Sequence, residues 1–321
     1  MFRPDVWEKY QVLVYLTAIV CGLVLGTAIP DRVGVLEWLL WPVLGLLLYT
    51  TFTQVPLAHL REAFADRRFM AAAVTGNFVV LPVIVWGLMS LAPDVAAVRL
   101  GILLVLLVPC TDWFITFTHL GGGDTRHAIA FSPVSLLLQI VLLPVYLWVF
   151  FGGEFAAGVA QREMAAAFAG LILLPLVLAF FTEKWVAQKP GRQSLLVVLG
   201  GFPVPLLAVV VFSIAAAQVG VVSESLGLLA YLALIFVVFL VIAGLLARVI
   251  APLFRLPSGQ GRVLAFSFGS RNSFVVLPLA LALPSHLELA VVVIVFQSLV
   301  ELLGMAVYLW WVPRKLFPAN H

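Results

Sequence analysis

The sequence predicts an all-α polytopic membrane protein of about ten transmembrane helices, arranged as two inverted five-helix repeats in which broken helices 4 and 9 cross. Three observations carry this prediction: apolar runs that recur along the whole chain, an uneven division of basic residues between the connections, and matched polar interruptions in the fourth and ninth runs.

The apolar runs come first. Of the 321 residues, 64% are hydrophobic and only 10% charged, and the mean hydropathy is +1.16. A soluble domain carries roughly 25% charged residues. The excess apolar surface therefore faces lipid. Runs of about 20 residues are long enough to cross the roughly 30 Å hydrocarbon layer. They fall at 11–30, 35–53, 69–91, 98–119, 128–151, 163–182, 194–218, 228–250, 263–283 and 289–311. Only helices and closed barrels satisfy their backbone in lipid, and barrel strands would be shorter and alternate in polarity. The first run is long for a signal peptide and reads as an uncleaved helix. The stretch from Pro56 to Arg68 reads as an amphipathic surface turn of helix. The chain reads as one integral membrane domain over 1–321, with repeats at 1–155 and 156–321.

The basic residues set the orientation. Fourteen Lys and Arg fall on the side that holds both termini, three on the other, and Arg271 lies within a span. The positive-inside rule then places both termini in the cytoplasm of a multi-pass protein of the cell membrane. Spans 6–10 begin on the opposite side from spans 1–5, which is the geometry of an inverted repeat. The net charge of +3 does not point to nucleic acid, because the basic residues sit singly or in threes between apolar runs. Cys21 and Cys110 both lie inside apolar runs, so a disulfide framework is not expected.

The interruptions carry the chemistry. In span 4, Pro109 removes a backbone donor and is followed by Cys110, Thr111 and Asp112. In span 9, Gly269, Ser270, Arg271, Asn272 and Ser273 interrupt an otherwise apolar run. An ionised side chain at mid-helix costs about 2.5–3.5 kcal/mol on insertion scales. Asp112 and Arg271 therefore turn away from lipid, and an ion pair between them is the expected solution. Matched breaks in two halves point to a binding site near the bilayer midplane. Its predicted lining is Cys110, Thr111, Asp112, Arg271, Asn272 and Ser273.

Glu301 is a further ionisable group, midway along span 10, with Gln297 one turn earlier. Gln139 occupies a similar depth in span 5. A carboxyl group held neutral by burial suits a proton carrier, so Glu301 and Asp112 are the candidate coupling groups. Cys110 differs from Cys21 in sitting beside a break, and its sulfur suits a thiophilic element. His119 and His127 flank one end of span 4 and read as interfacial. No cofactor is expected, and no metal-ligand histidine pair or nucleophile elbow suggests an enzyme.

The strings VPCTDWFITFTHLGGGD in span 4 and FGSRNSFVVLPLAL in span 9 resemble the bile acid/sodium symporter superfamily, and within it the arsenical-resistance permease branch. The likeness covers the chain as topology; as motif it is confined to spans 4, 9 and 10. It implies a required cysteine after the span-4 proline, matched by Cys110 as metalloid contact, and a span-10 glutamate, matched by Glu301. The branch's span-9 carboxylate falls on Val275 and is absent. The symporter branch's span-9 sodium positions fall near Ser267 and Arg271, where a guanidinium opposes sodium. The resemblance thus implies proton-linked efflux of arsenite or antimonite. The alternatives are transport of a small organic anion with Arg271 as its contact, and a membrane sensor that moves nothing. Substrate and oligomeric state are not fixed by the sequence.

Overall fold

The computed structural model describes residues 4–29, 33–55, 66–156, 162 and 165–318. Most of the predicted surface turn from Pro56 to Arg68 lies outside them. The described residues are all-helical, with no named strand.

Two helices open the chain, α1 (Pro4–Ala28) and α2 (Val33–Phe52). Then follow α3 (Arg67–Leu88), α4 (Ala96–Leu106), α5 (Trp113–Leu120) and α6 (Thr125–Ala156). The second half holds α7 (Ala165–Ala187), α8 (Gln193–Ala217), α9 (Leu226–Leu253), α10 (Ser258–Gly269), α11 (Ser273–Leu281) and α12 (Leu289–Trp311). Among the described residues, six helical stretches, those of α3, α6, α7, α8, α9 and α12, are long and apolar enough to cross a bilayer. The predicted spans 4 and 9 are each two short helices, α4 with α5 and α10 with α11, separated at the predicted breaks.

The helices pack in two groups. One holds α1, α2, α7 and α8; the other holds α3 to α6 and α9 to α12. In the first group α1 lies closest to α8, and glycines allow it. A Cβ on Gly22 would stand 2.3 Å from Phe212 O, and one on Gly26 would stand 2.3 Å from Ala216 O. This is the small-xxx-small spacing that lets membrane helices touch backbone to backbone.

Two local devices in the second group shape its centre. The middle of α3 widens to a π-helix over Gly76–Val80. Asn77 Nδ2 donates to Ala73 O, competing with the helix ladder, and Pro82 has no amide to give to Phe78 O. The Tyr146 hydroxyl of α6 serves that carbonyl at 2.6 Å. Gly76 faces Phe268, whose ring would lie 2.0 Å from a Cβ there. Between α5 and α6 the glycine run makes the turn: Gly122 has a φ of 65° and its carbonyl accepts from Arg262.

Candidate functional site at the crossover

The two breaks meet. Cys110 N donates to Ser270 O at 3.0 Å, and Asn272 N donates to Val108 O at 2.8 Å. This is a two-bond antiparallel bridge centred on Pro109 and Arg271. Local sequence explains why each chain opens. Pro109 has no amide to continue α4, and Ser270 adopts extended angles of φ −93° and ψ 131°. Asn272 then caps α11, its Oδ1 accepting from Val275 N at 3.3 Å. Gly269 lets α12 pass close by, since a Cβ there would lie 2.8 Å from Met305 and Tyr308.

The side chains at the bridge sort into two sets. The first surrounds Cys110 and Thr111. The Cys110 thiol donates to Asp112 Oδ1 at 3.2 Å. Asn272 Nδ2 donates to Thr111 Oγ1 at 3.3 Å, and the Ser132 hydroxyl of α6 donates to Thr111 O. Cys110 is 3% exposed and Thr111 fully buried, whereas Asp112 is half-buried. Cys21 is exposed.

The second set runs from span 9 to span 10. Ser273 Oγ donates to Gln297 Oε1 at 3.1 Å, and Gln297 Nε2 donates to Glu301 Oε2 at 2.9 Å. The same Glu301 oxygen accepts from Arg271 N at 2.9 Å. Glu301, 4% exposed, is thus tied to the backbone of the crossover itself. Ser270 Oγ donates to Met305 Sδ at 3.4 Å. Gln139 is as buried as its counterpart Gln297, but neither its nitrogen nor its oxygen has a partner.

The expected ion pair between Asp112 and Arg271 is not formed. Among the described residues no carboxylate oxygen lies within 4.0 Å of the Arg271 guanidinium. The guanidinium turns instead toward Asn77 Oδ1 at 2.9 Å, Ser267 O at 2.8 Å, Phe268 O at 2.7 Å and Leu106 O at 3.3 Å. Its carbon stands 5.5 Å from the Phe239 ring centre. Carbonyls that a broken helix leaves free take the place of the expected carboxylate. Asn77 is not legible in the sequence for a related reason. A lone asparagine in an apolar run carries no signal until span 3 is placed beside span 9.

The crossover borders the seam between the two helix groups. Tyr15 of α1 stacks on Trp113, with ring centres 5.9 Å apart and planes 8° apart. Phe274 meets Trp113 edge-on at 5.2 Å. At the far end of α11 the seam opens into a cavity of about 270 Å³, lined by Trp41, Gln218, Leu281, Ser285 and Glu288 among others. Aromatic rings thus pack at one end of the seam, and the cavity lies at the other. His119 is exposed, and His127 lies 2.8 Å from Asp124 and 3.3 Å from Asp66 at the rings' end of the molecule.

Fold and site together define a polytopic membrane protein built around a crossed pair of broken helices. The profile of the Sodium Bile acid symporter family matches residues 41–251, about two thirds of the chain. The chain belongs to that family and is a membrane transporter of the symporter type. The matched stretch includes the first break and ends before the second. Comparison with curated proteins finds no match.

Proposed function

We propose that the protein is a secondary active transporter that expels arsenite or antimonite in exchange for protons. The carrying observation is the thiol of Cys110, placed on the crossover beside the half-buried carboxyl group of Asp112 at 3.2 Å. Sulfur is a soft donor and suits a trivalent metalloid better than it suits a hard cation. Thr111 and Asn272 supply neutral hydroxyl and amide groups beside it, and Ser273 adds a hydroxyl on the span-10 side of the crossover. Glu301 is the proposed proton carrier. Its link to Arg271 N and to Gln297 ties its protonation to the backbone that joins both breaks.

The organic-anion reading stands as the alternative; against it, four protein oxygens already accept from the terminal nitrogens of the Arg271 guanidinium. The packing supports a five-plus-five plan. The first two spans of each half lie in one helix group and the last three in the other. Alternating access then proceeds by movement of one group against the other, with the crossover fixed in the larger group. The cavity between the groups lies at the Glu288 end, which this reading takes as the outer side from the distribution of basic residues.

Counterflow in proteoliposomes tests this reading. Vesicles preloaded with arsenite should take up labelled arsenite or antimonite without sodium, and a panel of organic acids should not compete. Exchange of a labelled organic acid with no metalloid flux would reverse the assignment.

A further inference from the structure

The crossover leaves helix carbonyl oxygens without their usual donors, and one residue collects three of them. In an unbroken helix Leu106 O would accept from Cys110 N, Ser267 O from Arg271 N and Phe268 O from Asn272 N. Each of those amides is used elsewhere. Cys110 N serves Ser270 O, Asn272 N serves Val108 O, and Arg271 N serves Glu301. The orphaned oxygens sit at the C-terminal ends of α4 and α10, where helix dipoles place partial negative charge. Buried unpaired carbonyls are costly.

The Arg271 guanidinium takes the three oxygens at 3.3, 2.8 and 2.7 Å, with Asn77 Oδ1 as a fourth at 2.9 Å. Asn77 is held in that orientation because its Nδ2 donates to Ser267 Oγ at 2.9 Å. The Phe239 ring covers the guanidinium at 5.5 Å. The four acceptors are neutral, and three are backbone. Such a set neutralises no charge; it solvates a single positive charge in the way half-helix ends and unwound carbonyls do in transporters.

We propose that Arg271 is a tethered cation occupying a monovalent-cation cage that the crossover creates, and that the empty cage takes a free alkali cation once this side chain is removed. The tether makes the native protein indifferent to alkali ions at this position. Lysine would keep a charge in the cage; alanine would leave the four oxygens open and partnerless.

The test is the melting temperature of purified full-length protein in lithium, sodium, potassium and choline chloride at equal ionic strength. Wild type and Arg271→Lys should melt alike in all four salts. Arg271→Ala should melt about 5 °C higher in at least one alkali salt at saturation than in choline, as a ligand bound only by the folded state requires. An Arg271→Ala chain that folds only when that alkali ion is present would support the proposal equally. The proposal is overturned if Arg271→Ala melts alike in every salt, or fails to fold in every salt while Arg271→Lys folds. It is also overturned if wild type itself shows an alkali-specific shift. None of these readouts depends on which substrate is carried.

Discussion

Arg271 faces two ways: its backbone amide donates to Glu301 Oε2 at 2.9 Å, while its guanidinium leaves that carboxyl group and enters the carbonyl oxygens of α10. The carboxyl group of Glu301 is therefore bound to the crossover without being locked in a salt bridge. A proton can come and go there while the bridge geometry is kept by Gln297 and the main chain.

Glu301→Gln should fold, because the amide oxygen can still accept from Arg271 N. It removes the exchangeable proton. Metalloid counterflow, which needs no net proton movement, should persist. Accumulation driven by a pH gradient should fall to the level of empty vesicles. Gradient-driven accumulation in this variant would remove Glu301 from the coupling role.

The Tyr15–Trp113 stack should act as a closure on one side of the crossover. An aromatic pair contributes about 0.5–1.5 kcal/mol beyond its buried area. In a Cys21→Ser background, Tyr15→Ala should therefore speed alkylation of Cys110 by a small thiol reagent roughly twofold to tenfold. An unchanged rate would mean that access to Cys110 is controlled elsewhere.

The α1–α8 contact predicts a strong size dependence at two glycines. Leucine at Gly22 or Gly26 drives a side chain into the backbone of α8. Overpacking of this kind costs about 1–3 kcal/mol or more, a fall of roughly 3–10 °C in melting temperature. Gly87→Leu, where a Cβ meets nothing within 4 Å, is the control and should melt like wild type.

Asp66 caps α3 by accepting from Arg68 N and Phe69 N, each at 3.1 Å. The Phe69 amide lowers the Asp66 pKa below 3.8, and Gln260 and His127 add to this. A lowered folded-state pKa stabilises above the unfolded value and ceases to do so as pH falls through the folded one. Asp66→Ala should cost about 0.5–2 kcal/mol at neutral pH. The gap from wild type should close only at pH values below about 3.8. A gap already closed at pH 6 would contradict this.

Much of the architecture was legible because lipid imposes it. A charge or a proline in an apolar run has few permitted explanations, so Pro109, Asp112, Arg271 and Glu301 announced the breaks and the polar centre. What the sequence hid was pairing. Asp112 and Arg271 looked like complementary charges, yet Asp112 is engaged by Cys110 and Arg271 by carbonyls. Backbone acceptors have no letter in a sequence. Asn77 and the α1 glycines were silent for the same reason: their meaning depends on Phe268, Ser267 and the α8 backbone, which are distant along the chain.

The measurement that bears most directly on the proposed function is arsenite counterflow by Cys110→Ser in a Cys21→Ser background. Serine keeps the size and a hydrogen bond to Asp112 but loses the soft sulfur. Cys21→Ser alone should transport normally, and adding Cys110→Ser should reduce metalloid counterflow to the rate of empty vesicles without changing the melting temperature. Full metalloid flux through the doubly substituted protein would contradict the proposed function.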